Sequence, residues 1–140
     1  MHLTPEQKNQ IIGFLVSKLK PYCLLVIGSA AKGELRPDSD IDLVFMNETY
    51  YSPYQVFVIG EELACKLGKN IDLINFHQAS TVFQAQIVAT GEIIYCTDEL
   101  KKDRDFMIAY KKYARLNEER QVIIDTIKES GEIYEFRHNL

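Results

Sequence analysis

Asp40 and Asp42 are the residues of this chain best equipped for chemistry. Two positions apart at the head of the apolar run 41–46, they project from the same face of a strand, about 7 Å apart along the backbone. Shortly before them an apolar run ends in the small-residue turn Gly28-Ser29-Ala30-Ala31-Lys32-Gly33. Glycine lets a backbone approach a ligand closely. A short helix starting near Ala30 would aim its first N–H groups at the same spot, and Ser29 adds a hydroxyl. Two carboxylates beside such a turn suit a divalent cation bridging to a triphosphate, which is the equipment of nucleotidyl transfer.

Plainer readings exist for each part. Gly-Ser alone is an ordinary strand-to-helix turn, and the acids alone could be solvated residues of an edge strand. Aspartate is depleted in strands, however, and two on one face repel. At an effective dielectric of 20 and about 5 Å, that repulsion is roughly 3 kcal/mol, which a divalent ion removes. Asp72 sits in mid-strand between Ile71 and Leu73, where an unpaired buried carboxylate would be costly. A third metal-site acid, or a base for an incoming hydroxyl, accounts for it, as would a partnered structural aspartate. Lys32 and Arg36 lie between the turn and the acids, where either could reach a phosphate or simply face solvent. His77 reads as a loop or capping residue, and His2 and His138 lie near the ends, so no histidine cluster points to a transition metal.

These residues need a scaffold, and the composition supplies an ordinary one. The chain has 140 residues, 46% hydrophobic and 26% charged, which suits one domain over 1–140. A net charge of −4 and a pI near 5.4 argue against a general nucleic-acid binder, so a phosphate substrate needs a local cation. Cys23, Cys65 and Cys96 are odd in number and widely spaced, each in an apolar segment, and read as buried free thiols of a reducing cytoplasm. The first residues lack the basic-then-apolar pattern of a signal peptide, and no apolar run reaches membrane-spanning length.

Thr4-Pro5-Glu6-Gln7 starts a helix with a cap, a proline at the first position and glutamine three residues on. Ser52-Pro53-Tyr54-Gln55 repeats that signal, and Gly68 closes the second helix. Strands are expected at 22–27, 41–46, 70–76 and 93–96, a third helix at 80–90, and one long helix over about 98–130. The alternation predicts an α/β fold, a mixed sheet of three to four strands with flanking helices. Along the long helix Phe106, Ala109, Tyr113, Leu116, Arg120, Ile123 and Ile127 recur at spacings of three and four. Past about Leu116 that helix would project roughly 20 Å, so Phe106 and Tyr113 are assigned to the core and Ile123 and Ile127 to a partner.

Gly28-Ser29, followed by Ser39-Asp40-Ile41-Asp42-Leu43 in a strand–turn–helix–strand context, resembles the signature of the polymerase-β-like nucleotidyltransferase superfamily. The small size is similar to its minimal nucleotidyltransferases. Ile71-Asp72-Leu73 and the segment Tyr113-Ala114-Arg115-Leu116-Asn117-Glu118-Glu119-Arg120 narrow the resemblance to the MntA-type antitoxins that pair with HEPN-domain ribonuclease toxins. The resemblance implies Mg²⁺-dependent transfer of AMP from ATP to a tyrosine of the toxin, silencing its RNase activity. It assigns Asp40, Asp42 and Asp72 to metal and catalysis, and Gly28, Ser29, Lys32 and Arg36 to nucleotide. Many relatives carry Ala-Arg-Gly where this chain has Ala31-Lys32-Gly33; lysine keeps the charge but not the bidentate geometry of arginine.

Two other readings remain open at this level: nucleotidylation of a small-molecule hydroxyl, and a non-catalytic antitoxin acting by contact. ATP-dependent labelling of a partner separates the catalytic readings from the one that acts by contact. Ser29→Ala should weaken ATP handling by about 1.5–3 kcal/mol, the worth of one hydrogen bond to a charged group. Transfer kinetics with ATP as the varied substrate measure it, and an unchanged KM and kcat would remove Ser29 from the nucleotide site.

Overall fold

The computed structural model describes residues 3–33, 36 and 39–129. In chain order its elements are α1 (Pro5–Leu19), β1 (Cys23–Ile27), α2 (Ser29–Lys32), β2 (Ile41–Met46), α3 (Pro53–Leu67) and β3 (Ile71–Asn75). A single 3-10 turn (Phe76–Gln78), α4 (Thr81–Thr90), β4 (Glu92–Cys96) and α5 (Glu99–Glu129) follow. Boundaries fall within a residue or two of the sequence expectation, because caps rather than propensities set them. Thr4 and Ser52 each accept a hydrogen bond from the amide three residues on, and Gln7 and Gln55 reach back to the cap amides. Each such box contributes about 1 kcal/mol. Lys20 and Gly68 end α1 and α3 in the left-handed conformation.

The sheet runs β3-β2-β1-β4. β1 pairs antiparallel with both β2 and β4, while β2 and β3 are parallel, joined by a crossover through α3. Period-two alternation divides its side chains between two cores. Leu24, Val26, Ile41, Leu43 and Phe45 pack with Ile11, Leu15 and Leu19 of α1 and with Val56 and Leu63 of α3. Cys23, Leu25, Ile27, Val44 and Met46 face Ile87 of α4 and Ala109 of α5. Both faces of the central strands are thus covered, which explains why β1 reads as an unbroken apolar run.

Three expectations change. Cys65 is exposed on α3 rather than buried. Cys23 and Cys96, remote in sequence, stand opposite each other across β1 and β4. Burial, followed by the neighbouring Cys96, pushes the Cys23 thiol up to about 12. Asp72 is exposed because β3 is an edge strand, so burial puts no penalty on its carboxylate.

No helix among the described residues is long and apolar enough to cross a membrane. The length of α5 serves another purpose. Its first half is anchored: Phe106 lies 5.9 Å from Phe76, centroid to centroid, and Ala109 is buried. Tyr113 and Leu116 are half-buried, at the margin of the core rather than within it. Residues 117–126 are then exposed, the apolar Val122, Ile123 and Ile124 among them, while Ile127 is half-buried. Ile123→Asp with Ile127→Asp should therefore leave the melting of the isolated chain within about 0.5 kcal/mol of the parent. The same pair should abolish co-purification with a partner protein. A collapsed fold would place both residues in the core.

Candidate active site

The acids and the small-residue turn meet at one end of the sheet. β1 ends at Ile27, whose register partner on β2 is Asp42, and Asp42 in turn stands opposite Asp72 on β3. Neighbouring strands lie about 4.8 Å apart, so two carboxylates in register and on the same face become close neighbours. Asp40 immediately precedes β2 and is exposed; Asp42 is partly buried. The electrostatics record the crowding: burial first, then the Asp72 carboxylate, then Asp40, raise the pKa of Asp42.

Gly28 is required here for two reasons. Its φ of +68° is in the left-handed region, and a Cβ at this position would stand 2.8 Å from Oδ2 of Asp42. The turn and the carboxylate are thus packed into direct contact, a closer coupling than ligand access alone would demand. The carbonyl of Gly28 accepts from the amide of Lys32, closing the single turn of α2. At four residues α2 brings free amides but no extended dipole, so anion attraction there rests on local N–H groups. Lys32 and Arg36 are both exposed. The Ser39 hydroxyl accepts from the Arg36 amide at 2.9 Å, and the Ser39 amide donates to the Arg36 carbonyl at 3.0 Å. That turn delivers the chain into Asp40.

The structure therefore brings Asp40, Asp42 and Asp72 together beside Gly28, with Lys32 at the end of α2. Among the described residues, no group of three or more acidic, histidine or cysteine side chains is placed to hold a metal ion. Mg²⁺ is usually held by one or two carboxylates together with substrate phosphates and water, and Asp40 and Asp42 are donors of that kind. Hard oxygen donors, and an acid whose ionisation its neighbours oppose, fit such an ion.

A second polar cluster escaped the sequence reading. Tyr22 donates from its hydroxyl to the Asp105 carboxylate, and Nε2 of His77 lies 3.2 Å from both. Burial, then the bond to Asp105, pushes the Tyr22 phenol far above its ordinary range. His77 is more than a loop residue: it ties the turn after β3 to α5. Lys101 forms an ion pair with Glu48 and lies over the Tyr22 ring, 5.2 Å from its centroid. The partners are 28 to 83 residues apart in sequence, so no local spacing could have revealed them. The cluster sits where β1 starts and β2 and β3 finish, at the opposite end of the sheet from the acids.

Mixed sheet, turn and acid triad together define a nucleotidyltransferase. The chain matches the family described as polymerase beta, nucleotidyltransferase, over residues 9–100, and belongs to it. It is similar to the protein adenylyltransferase MntA of Shewanella oneidensis, 29% identical over 122 residues that cover 86% of each chain. Its fold is similar to a chain in the crystal structure of a toxin–antitoxin with AMP-PNP, with a TM-score of 0.76 and 28% identity over 86% of this chain and 98% of that one. It is also similar to a chain in the structure of tri-AMPylated Shewanella oneidensis HEPN toxin in complex with MNT antitoxin. There the TM-score is 0.71 and the identity 26%, over 88% of this chain and 97% of that one.

The raised pKa of Asp42 has a consequence for stability without metal. A carboxyl whose folded pKa exceeds its unfolded value, about 3.9, stabilises the fold fully below that value. The contribution is lost as pH rises through the folded pKa. Asp42→Asn should then melt at least as high as the parent at pH 7 in chelator, with the difference closing below about pH 4. Thermal melts from pH 3 to 8 check it; a variant markedly less stable at pH 7 would mean that the carboxylate is structurally partnered.

Proposed function

We propose that this chain is an antitoxin adenylyltransferase, moving AMP from ATP to a tyrosine of a cognate HEPN ribonuclease toxin and so neutralising it. The observation that carries this reading is the gathering of Asp40, Asp42 and Asp72 against the Gly28 turn. Its likeness to MntA, and to chains of structures with AMP-PNP and with an AMPylated HEPN toxin, supports the acceptor and the nucleotide.

Asp40 and Asp42 would hold Mg²⁺, with Asp72 completing the set. When bound, the ion neutralises charge on the nucleotide phosphates and on the oxygens that attack and leave the α-phosphorus. The amides of the Gly28 turn hold the terminal phosphates, Ser29, whose side chain lies outside the described residues, is assigned with them, and Lys32 and Arg36 supply the positive charge that the acidic body lacks. Asp72, exposed at the sheet edge, accepts the proton of the tyrosine hydroxyl. The phenolic oxygen then bonds to the α-phosphorus while the bond to the bridging oxygen breaks, releasing pyrophosphate. Fixing two anionic reactants in line supplies much of the acceleration in such transfers.

The projecting half of α5, with exposed Ile123 and with Ile127 one turn on from it, is the surface we assign to toxin binding. Three free thiols and ATP as substrate favour a reducing, cytoplasmic setting for this reaction.

Incubation with α-labelled ATP, Mg²⁺ and a cognate HEPN toxin should label the toxin. Asp40→Asn and Asp42→Asn should each lower the rate at least a hundredfold while binding the toxin normally, and EDTA should stop the parent enzyme. Unlabelled but neutralised toxin would instead establish an antitoxin that works by contact. Labelling in both variants at the parent rate would remove the metal assignment.

A further inference from the structure

The acceptor has to reach Asp72 without passing through the space that the triphosphate occupies. β3 is the outer strand on this side of the sheet and pairs with β2 alone among the described strands. The Ile41 amide donates to the Asn70 carbonyl, which fixes the parallel register: peptide groups of residues 70, 72 and 74 serve β2. Those of Ile71, Leu73 and Asn75 are turned to the open edge, a row of donors and acceptors that a further strand can pair with.

Alongside that edge runs a groove of about 360 Å³ between α3 and α4. Val56, Phe57, Ile74 and Phe83 give it an apolar lining, and Asp72 and Glu61 are its charged residues. No lysine, arginine or histidine is among its described lining residues, so a triphosphate is not its occupant. The volume is at the small end of ligand pockets and takes one large side chain with its neighbours. Phe57 is 63% exposed at the rim, where a ring seated in the groove would pack against it. The open backbone edge asks for an extended chain, the lining for an aromatic ring, and the carboxylate for a hydroxyl at that ring's end.

We propose that the acceptor docks as an extended segment along the open edge of β3, with its tyrosine ring in the α3–α4 groove and its hydroxyl at Asp72. This rests on the AMP-transfer reading and adds the acceptor's conformation and binding surface. Addition of a strand supplies main-chain affinity, and the groove selects tyrosine over serine or threonine, whose hydroxyls are too short to fill it. Phe57 is here a specificity-determining residue that touches the acceptor and not the nucleotide.

Two measurements on the full chain with its HEPN toxin test it. Phe57→Glu should bind AMP-PNP with Mg²⁺ within twofold of the parent by calorimetry. Its transfer to the toxin should fall at least tenfold through a raised KM for toxin, and Phe57→Leu should restore most of the rate. Amide exchange at residues 71, 73 and 75 should slow when the toxin binds. Parent-like transfer by Phe57→Glu, or exchange at those amides unaltered in the complex, overturns the proposal. A parent chain that binds the toxin yet never labels it overturns the AMP-transfer reading instead, and the exchange data then judge the groove by themselves. A chain that binds no toxin overturns both.

Discussion

Repulsion among three carboxylates is the constraint around which this molecule is arranged. Asp42 and Asp72 stand in register on adjacent strands with Asp40 just beyond, and each opposes the ionisation of Asp42. The fold itself has no structural use for such a cluster, since like charges facing each other across a strand pair are destabilising. The rest of the sheet makes the cluster bearable and useful. Parallel pairing, enforced by the crossover through α3, sets Asp72 beside Asp42, and the edge position of β3 keeps Asp72 in water. Gly28 leaves room for the Asp42 carboxylate against the turn that precedes it. In the AMP-transfer reading proposed above, a divalent cation at these carboxylates would convert the same repulsion into affinity for nucleotide phosphates.

The two ends of the sheet divide the work. At the acid end, charges are close, partly solvated and of one sign. At the other, Tyr22, His77 and Asp105 join in a hydrogen-bonded cluster whose partners come from β1, the turn after β3, and α5. Strands of five or six residues separate these ends by roughly 17 Å. The anchoring cluster, with Phe106 and Ala109, holds the first half of α5 firmly to the body. The second half can then extend into solvent and carry exposed apolar side chains without loss of the fold. A helix of 31 residues with one buried side chain would have no reason to exist in an isolated globule, where packing supplies most helical stability. Its length makes sense as a lever presented to another protein.

What the sequence determined by itself was local. Capping boxes at Thr4 and Ser52, glycine stops, and period-two or period-three-four apolar patterns define the elements to within a residue or two, because each depends on neighbours a few positions away. The Asp-x-Asp pair after Gly28-Ser29 was legible for the same reason: strand periodicity places both acids on one face. Tertiary structure alone decided what depends on register between distant segments. Only pairing shows that Asp72 opposes Asp42 from an exposed edge strand, that Gly28 is in contact with the Asp42 carboxylate, and that Cys23 faces Cys96. The Tyr22–His77–Asp105 cluster and the groove beside β3 join residues from up to four elements, and no window along the chain contains them. Side-chain spacing reveals which face a residue is on; only the folded sheet decides what stands opposite it.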